Sequence, residues 1–501
     1  MAFLLLSLPI ALCVVFLFSR WRNDPLASIP GPEIAKWTGL VLKYHWLVGN
    51  RMKYVHALHE RYGPIVRVSP DEVDVCDLAA VKEIHRIGTP FLKPYAFYRT
   101  LTSPDMENLF NTSDVKFHSA RRRLFSSSAS DAELHKSEAL IDARVKLAIE
   151  KMRAEMKTAL SGAVDVFQWW IFMTTDIIGE LCFGDSFRML EYGRNNQYSH
   201  DLTAVAATEA VKVAFPGLIS LAGSIPIPIP YVQEAAQAGA RLGKYAVESI
   251  ERYKALLSKS LSSPTAEPMK QTLFTRLFQL QSNNGKPGVE EGEEGSLPDK
   301  AILDEAITFI VAGSDTTANT LTYLVWTLSQ PANAHLLSNL VTELSSLPED
   351  FTDSDLKPLP HLTNTINETL RLYSGVPSAL PRVSNTPTTL ATHPIPAGTI
   401  VTTQAYTLHR ERSIYPNPLE FQPGRWDNPT RAMKDAFMPF GGGARTCLGV
   451  HLARMELRLA TARFFRAFPG AKVHGDMRAE EMEQVAWFLL APVGKRCLIR
   501  G

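Results

Sequence analysis

The chain has 501 residues, 45% of them hydrophobic and 21% charged, a composition that predicts a globular protein with a sizeable core rather than a disordered one. Its 52 basic and 51 acidic residues leave a formal charge of +1, which excludes a global electrostatic preference for nucleic acid. Five cysteines without paired spacing favour a reducing compartment over a disulfide framework. Length suggests about three domains, but the motifs below would serve one site, so we predict one large unit.

The amino terminus carries an apolar run over residues 2–18, followed by Arg20 and Arg22. The run is close to the minimum for a bilayer helix, about 17 to 25 residues. A cleaved secretory signal is the alternative, but no positive charge precedes the run and no small-residue cleavage site follows it. Because the basic residues lie on the carboxyl side, they favour a cytosolic body. We predict a transmembrane signal anchor at residues 1–19.

Residues 20–32 are basic and proline-rich and are either a stiff hinge or a simple linker. From residue 33 to 501 helical periodicity dominates, and a proline-rich apolar stretch lies at 215–230. The pattern predicts a mainly α domain with a minor β region. Predicted helices lie at 137–157, 239–260, 300–329, 334–346, 363–373 and 448–468, and predicted strands at 65–68, 73–76 and 399–403.

The predicted helix 300–329 contains Ala312-Gly313-Ser314-Asp315-Thr316-Thr317. Glycine in a helix interior costs about 1 kcal/mol relative to alanine, and consecutive threonines also lower helix propensity, so something must offset this cost. Taken alone, the run favours a helix kink with surface threonines. Further along, Glu368 and Arg371 are three residues apart and share a helix face, a pattern that is more often a surface ion pair.

Cys447 is delivered by a glycine-rich loop to the start of an apolar, basic helix. A thiolate that binds a metal needs backbone N–H donors, nearby positive charge and a helix N-terminus, and this segment supplies all three. A buried structural cysteine is the alternative for any single cysteine. The order Phe440-x-x-Gly443-x-Arg445-x-Cys447-x-Gly449 resembles the haem-binding signature of the cytochromes P-450, the haem-thiolate monooxygenases, at every defined position.

This resemblance, which covers the chain from Pro30 to its end, implies a cytochrome P-450 fold and haem b with Cys447 as axial ligand. It implies that Asp315 and Thr316 form an acid–alcohol pair that relays protons. It implies a buried network of Glu368, Arg371 and Arg425, although Gly424 and Trp426 depart from the family pattern. The residues expected to bind the cofactor and its propionates are His118, Arg122, Arg382, Phe440, Gly443, Arg445 and Gly449. For His118, a satisfied core histidine is the alternative.

By family position, the substrate pocket is apolar and aromatic, which favours a hydrophobic small molecule. Its expected lining is Met106, Leu109, Phe110, Phe309, Ala312, Gly313, Val376, Ala379, Leu380, Trp487 and Phe488. The histidine at position 118 and the Gly424-Arg425-Trp426 variant are similar to those of fungal family members that tailor polyketides, terpenoids or alkaloids.

The resemblance also implies electrons from NADPH through a separate flavoprotein reductase, with cytochrome b5 as a further partner. It implies a single-pass protein of the endoplasmic reticulum membrane with a cytosolic catalytic domain, whose stretch 215–230 either contacts the membrane or packs on the protein. Arg121, Arg123, Arg454 and Arg458 form either a reductase-binding patch or a merely solvated face. Two alternatives to a monooxygenase are a haem-thiolate isomerase or dehydratase that does not need oxygen, and a non-enzymatic haem sensor.

Overall fold

A computed structural model describes residues 22–102, 106–217, 230–262, 271–283 and 297–501. The helices that precede the longest one are Glu33–Trp37 (α1), Leu40–Leu47 (α2), Arg51–Tyr62 (α3), Leu78–His85 (α4), Tyr95–Thr100 (α5), Val115–Ser126 (α6), Asp131–His135 (α7), Glu138–Thr158 (α8), Val166–Phe183 (α9), Met189–Tyr192 (α10), Gln197–Ala214 (α11), Pro230–Ser262 (α12) and Thr275–Asn283 (α13). Those that follow are Asp299–Leu328 (α14), Ala334–Ser345 (α15), Asp353–Leu356 (α16), Pro360–Leu372 (α17), Ala405–Leu408 (α18), Arg431–Ala436 (α19) and Val450–Ala467 (α20).

The strands are short and lie in small sheets. They are Ile65–Ser69 (β1), Glu72–Val75 (β2), Phe91–Leu92 (β3), Ala163–Asp165 (β4), Arg382–Ser384 (β5), Thr388–Leu390 (β6), His393–Ile395 (β7), Ile400–Thr402 (β8), Lys472–Val473 (β9), Gln484–Ala486 (β10), Leu490–Pro492 (β11) and Leu498–Arg500 (β12). The largest sheet has the order β1-β2-β8-β5-β3, in which β2 and β8 are parallel. The others are β4-β12-β9, β10-β11 and β6-β7. The predicted mainly helical class with a minor β region is confirmed.

The six helices and three strands that periodicity predicts are all present, with ends within a few residues of the prediction except for α12. That helix begins at Pro230, nine residues before the predicted start at 239. Helix α9 was not predicted. It is buried on nearly all sides, so it lacks the one-sided periodicity of a surface helix.

Helices α9 and α14 pack together in the centre of the main core. The Thr174 hydroxyl donates to the Ser314 carbonyl oxygen at 2.6 Å. One residue earlier on α14, a Cβ on Gly313 would lie 2.9 Å from Cγ1 of Ile178 on α9. Glycine at this position therefore allows the two helices to approach closely, which is the demand that the structure shows for it.

The proline-rich segment before α1 is attached to the protein body. Leu26 and Ile29 are buried with the core of the largest sheet, and the Arg67 N–H donates to the Pro30 carbonyl oxygen at 2.8 Å. The Arg67 guanidinium also pairs with Asp24. Of the two interpretations of residues 20–32, these contacts favour a fixed connection over a loose linker in the described part, from residue 22 onward.

Two predicted segments fall wholly or partly outside the described residues: the anchor at 1–19 and residues 218–229 of the proline-rich apolar stretch. Phe215, at the start of the apolar stretch, is described and lies with its ring centroid 4.9 Å from Nζ of Lys43 on α2. Within the described ranges, no helix combines the length and apolarity that membrane crossing requires.

Candidate active site

The Cys447 loop is shaped by glycines at positions where other residues do not fit. Gly441 and Gly443 have φ values of +72° and +60°, and a Cβ on Gly443 would overlap the backbone carbonyl oxygen of His85. The Cys447 N–H donates to the Phe440 carbonyl oxygen at 2.9 Å and closes the loop. Helix α20 begins three residues after Cys447, so its positive end is near the sulfur.

Cys447 has solvent-accessible surface, but protein atoms surround its sulfur closely enough to desolvate it. Burial raises the pKa of the Cys447 thiol, and the Gly449 N–H and the charge of Arg122 act in the opposite direction. Arg122 is held in place by a 2.7 Å hydrogen bond from Nη1 to the Thr446 carbonyl oxygen. These groups favour a thiolate, and a bound metal cation would favour it further.

A cluster of cations lies beside the loop without carboxylate partners among the described residues. Arg382 Nη1 donates to the Tyr98 hydroxyl and to the Pro381 carbonyl oxygen, both at 2.8 Å. Arg445 Nη1 is buried and has no hydrogen-bond partner. Burial, followed by the charge of Arg382, lowers the pKa of Arg445 to about 10. A buried group of like charges with an orphaned donor fits an anionic ligand.

Lys93 belongs to the same cluster. Its Nζ donates to the Phe110 carbonyl oxygen and lies 4.1 Å from the ring centroid of Tyr98. Burial lowers the pKa of Lys93 well below its usual value, and Arg382 and Arg445 act in the same direction. An anion bound between these groups would therefore compensate the positive charge of the cluster.

His118 is buried next to this cluster in α6. Burial, followed by the charge of Arg445, lowers the pKa of His118 to about 3, so the imidazole is neutral. A neutral ring donates one hydrogen bond and adds no further positive charge. The structure thus brings His118, Arg122, Arg382 and Arg445 together.

A second network, centred on the Glu368 carboxylate, lies close to the Cys447 loop. Both Nε and Nη2 of Arg371 donate to the Glu368 carboxylate, at 2.9 and 2.8 Å, and Arg425 Nε donates to it at 2.9 Å. The Trp426 indole N–H adds a 3.0 Å hydrogen bond. The tryptophan that departs from the family pattern is thus a further donor to Glu368. All four side chains are buried or nearly so, and the carboxylate is well satisfied.

His409 connects this network to the loop. Its Nδ1 lies 2.9 Å from the Arg371 carbonyl oxygen, and the Met438 N–H donates to its Nε2 at 3.0 Å. This assigns the proton to Nδ1. Burial lowers the pKa of His409 to about 3, so the ring stays neutral. The Met438 carbonyl oxygen in turn accepts the Gly441 N–H at 3.1 Å, which completes a chain from Arg371 to the loop.

Asp315 and Thr316 lie in the middle of α14. Burial raises the pKa of Asp315 to about 6, and the charge of Lys495 acts in the opposite direction. The Thr316 hydroxyl donates to the Ala312 carbonyl oxygen at 2.8 Å. A Cβ on Gly375 would lie 3.0 Å from Cβ of Thr316, so the glycine leaves room for this side chain. The pair combines a carboxyl that titrates near neutral pH with an adjacent hydroxyl.

The expected pocket residues fall into two groups. Phe110 and Phe488 touch edge to face, with ring centroids 5.7 Å apart, and Met106 and Leu109 are buried on the same segment as Phe110. The second group, Val376, Ala379 and Leu380, lies on a segment that is hydrogen-bonded to the residue after β8: the Leu380 N–H donates to the Thr403 carbonyl oxygen at 2.9 Å. Ala312 is exposed.

Three other expected pocket residues contact different parts of the protein. The Phe309 ring stacks on Phe274 and meets Phe125 edge to face. Gly313 faces α9, as described above. The Trp487 indole N–H donates to the Leu47 carbonyl oxygen at 2.9 Å.

The family model for Cytochrome P450 matches residues 29–498 of this chain. Cytochrome P450 monooxygenase tazI of Aspergillus terreus is 45% identical over 96% of this chain and 94% of its own length. Cytochrome P450 monooxygenase orf2 of Aspergillus niger is 39% identical over 99% and 98%, respectively. Benzoate 4-monooxygenase bphA of Aspergillus niger is 30% identical over 96% and 94%.

The chain belongs to the cytochrome P450 family. The predicted class, an oxidoreductase that incorporates molecular oxygen, is thereby confirmed, and family membership implies haem with cysteine thiolate ligation, a redox partner and a hydrophobic substrate. The residues of this P450 fit the haem, because cations without carboxylate partners and the orphaned Arg445 Nη1 match its two propionates.

Sequence reasoning missed Lys93 and His409, which complete the cation cluster and the support of the Cys447 loop. It also offered a patch of arginines for a reductase, and three of these four are engaged within the P450. Arg121 is buried near Glu305, Arg458 pairs with Asp353 at 2.6 Å, and Arg454 donates to Asn367 at 3.2 Å. A free basic face therefore does not come from these three residues.

Proposed function

We propose that this P450 is a membrane-anchored monooxygenase of fungal secondary metabolism that oxidises a hydrophobic, aromatic-bearing small molecule. The observation that carries the proposal is the Cys447 loop with its unpaired cation cluster. The alternatives are an oxygen-independent isomerase or dehydratase and a sensor. The names of the relatives and the paired Asp315 and Thr316 favour the monooxygenase.

When bound, the haem iron supplies the activation of molecular oxygen. Cys447 holds the iron, and Lys93, His118, Arg382 and Arg445 orient the propionates, with Arg122 beside the loop. Gly443 allows the loop path, the Gly449 N–H donates to the Cys447 sulfur, and the Phe440 carbonyl oxygen closes the loop. Glu368, Arg371 and Arg425 keep the loop rigid.

Asp315 and Thr316 deliver protons in this proposal. A carboxyl with a pKa of about 6 exchanges protons readily at neutral pH. The Thr316 hydroxyl donates its hydrogen bond to the Ala312 carbonyl oxygen. The hydroxyl oxygen can therefore accept a hydrogen bond from a water molecule. The electrons come from NADPH through a separate flavoprotein reductase, with cytochrome b5 as a second donor.

We further propose an anchor at 1–19, a connecting segment at 20–32 and a cytosolic catalytic domain at 33–501 on the endoplasmic reticulum membrane. Exposed apolar side chains on α1, on α2 and directly after α2 support contact with a bilayer surface. They are Ile34, Trp37, Leu40, Tyr44 and Val48. Exposed tryptophan and tyrosine are typical of membrane–water interfaces. Flotation of a chain without residues 1–19 with phospholipid vesicles, weakened on replacement of Trp37, Leu40 and Tyr44 by serine, would test this contact, because the proposed anchor would hold the full chain on the vesicles in either case.

The substrate class rests on the pocket wall. Phe110 and Phe488 present ring edges and faces that suit a flat aromatic system. One relative is named for the oxidation of benzoate. We therefore propose an aromatic polyketide or a related ring system as substrate.

Replacement of Thr316 tests the monooxygenase proposal. The variant Thr316→Ala should retain haem but form less product per NADPH and release more hydrogen peroxide, by about tenfold or more. The full chain would be combined with an NADPH-dependent fungal reductase and a panel of aromatic polyketides. Thr320→Ala is the matched control, since its hydroxyl donates to the carbonyl oxygen four residues back at 2.9 Å, as that of Thr316 does at 2.8 Å.

Equal product per NADPH in Thr316→Ala and wild type would remove Thr316 from proton delivery. Product formation by the wild type without NADPH or reductase would establish the isomerase or dehydratase instead. Haem binding without turnover of any compound would favour the sensor.

A further inference from the structure

The segment 106–112, between α5 and α6, is a turn braced by two buried asparagines. The Asn108 side-chain oxygen accepts the N–H groups of Phe110 at 3.0 Å and Asn111 at 2.9 Å. The Asn111 side chain accepts the Asn108 N–H at 3.0 Å and donates to the Met106 carbonyl oxygen at 2.8 Å. The segment therefore moves as a unit, and Leu109 and Phe110 move with it.

Two hydrogen bonds join this braced turn to α14. The Leu109 N–H donates to Glu305 Oε1 at 2.9 Å, and Asn108 Nδ2 donates to the Thr308 hydroxyl at 2.7 Å. The Thr308 hydroxyl itself donates to the Asp304 carbonyl oxygen at 2.8 Å, which fixes its orientation. Glu305 and Thr308 are three residues apart and so lie on one face of the helix.

Glu305 is fully buried and incompletely paired. Its Oε1 lies 3.5 Å from Nε of Arg121 on α6, while its Oε2 and Nη1 of Arg121 have no hydrogen-bond partner. Burial raises the pKa of Glu305 to about 7, against the effects of the Leu109 N–H and Arg121, and Asp304 acts with burial. A buried carboxyl with unsatisfied capacity is costly for stability alone, which points to a role for this contact beyond stability.

We propose that Glu305 and Thr308 are positioning residues that hold Leu109 and Phe110 at contact distance for a flat aromatic ligand in the substrate pocket. The geometry carries this: two hydrogen bonds from one helix face hold a turn whose Phe110 ring meets Phe488. The inference rests on the proposed function only in that Leu109 and Phe110 line the pocket.

Two nitrogen ligands of haem iron test the inference on the full chain in detergent. Imidazole contacts little beyond the iron, whereas 1-phenylimidazole also needs the pocket wall. We expect Thr308→Val and Glu305→Ala each to weaken 1-phenylimidazole by about fivefold, the equivalent of one hydrogen bond, and to leave imidazole within about twofold. The spectral shift of the haem on titration gives both dissociation constants.

Matched variants separate positioning from stability. Thr322→Val removes a buried hydroxyl from the same helix that donates only to the Ala318 carbonyl oxygen at 2.8 Å, and it should leave the ratio of the two constants unchanged. Thr308→Ser keeps the hydroxyl and should restore the wild-type ratio. If Thr308→Val does not fold, Glu305→Ala and Thr308→Ser can still be compared with the wild type.

An unchanged ratio in haem-loaded Thr308→Val and Glu305→Ala, or tighter binding of 1-phenylimidazole, would overturn the inference. A wild-type protein that lacks the absorption band of thiolate-ligated haem would instead contradict the proposed function. The two failures are therefore distinguishable in the same preparation.

Discussion

The two sides of the active site differ in how their buried ionisable groups are hydrogen-bonded and in the pKa values of those groups. On the cysteine side, the Glu368 carboxylate receives hydrogen bonds from Arg371, Arg425 and Trp426, and His409 is bonded at both ring nitrogens. On the α14 side, burial raises the pKa of Asp315 and of Glu305 to near neutrality. The first arrangement fixes a ligand in one geometry, whereas the second contains Asp315, which we propose delivers protons, and Glu305, which holds the turn at Leu109.

Loss of Glu368 should produce the largest effect. Glu368→Ala leaves Arg371 buried without its carboxylate, which costs about 3–5 kcal/mol, so we expect little folded, haem-loaded protein. Haem content per folded chain, measured by absorbance, checks this. Glu33→Ala breaks the exposed pair with Lys36 and is the control, because such pairs are worth about 0–1 kcal/mol. Normal haem content in Glu368→Ala would contradict the rigid-support account.

His409→Ala should have the next largest effect. It leaves the Arg371 carbonyl oxygen and the Met438 N–H without partners, at a cost of about 2–3 kcal/mol. We expect a lower melting temperature and a smaller fraction of haem with intact thiolate ligation. His409→Gln, which offers a donor and an acceptor, should recover part of both. A stable His409→Ala with unaltered ligation would show that the loop does not need this connection.

Asp315→Asn probes the other side through pH. Because the pKa of Asp315 is raised to about 6, its ionisation opposes folding. The stabilising effect of its protonated form is complete below the unfolded pKa and is lost as the pH rises through about 6. Relative to wild type, the variant should therefore gain about 1–2 kcal/mol between pH 4 and pH 8. Thermal unfolding of both proteins across this range is the measurement, and parallel curves would refute the raised pKa.

Trp426→Phe should give the smallest effect. It keeps the aromatic contact with Phe437 and removes only the indole N–H bond to Glu368, worth about 1 kcal/mol. Chemical denaturation checks the change in unfolding free energy. A loss as large as that in His409→Ala would mean that the indole has a greater role in the network.

One-sided periodicity predicted α8, α15 and α17, although it did not predict the shorter amphipathic helix α4. It did not predict α9, whose residues are buried on all sides and therefore show no such pattern. The Cys447 loop could be recognised because its spacing is local. Lys93, Glu305 and His409 could not, since their partners lie far away in the chain: Glu305 bonds Leu109, and His409 bonds Met438.

The reduced, carbon-monoxide-bound absorption spectrum of the full chain, recorded beside that of Cys447→Ala, tests the central claim most directly. Thiolate-ligated haem gives a red-shifted band at about 450 nm. We predict that the wild type has this band and that Cys447→Ala lacks it while remaining folded. A haem-loaded wild type without the band, or a variant that keeps it, would show that Cys447 is not the iron ligand.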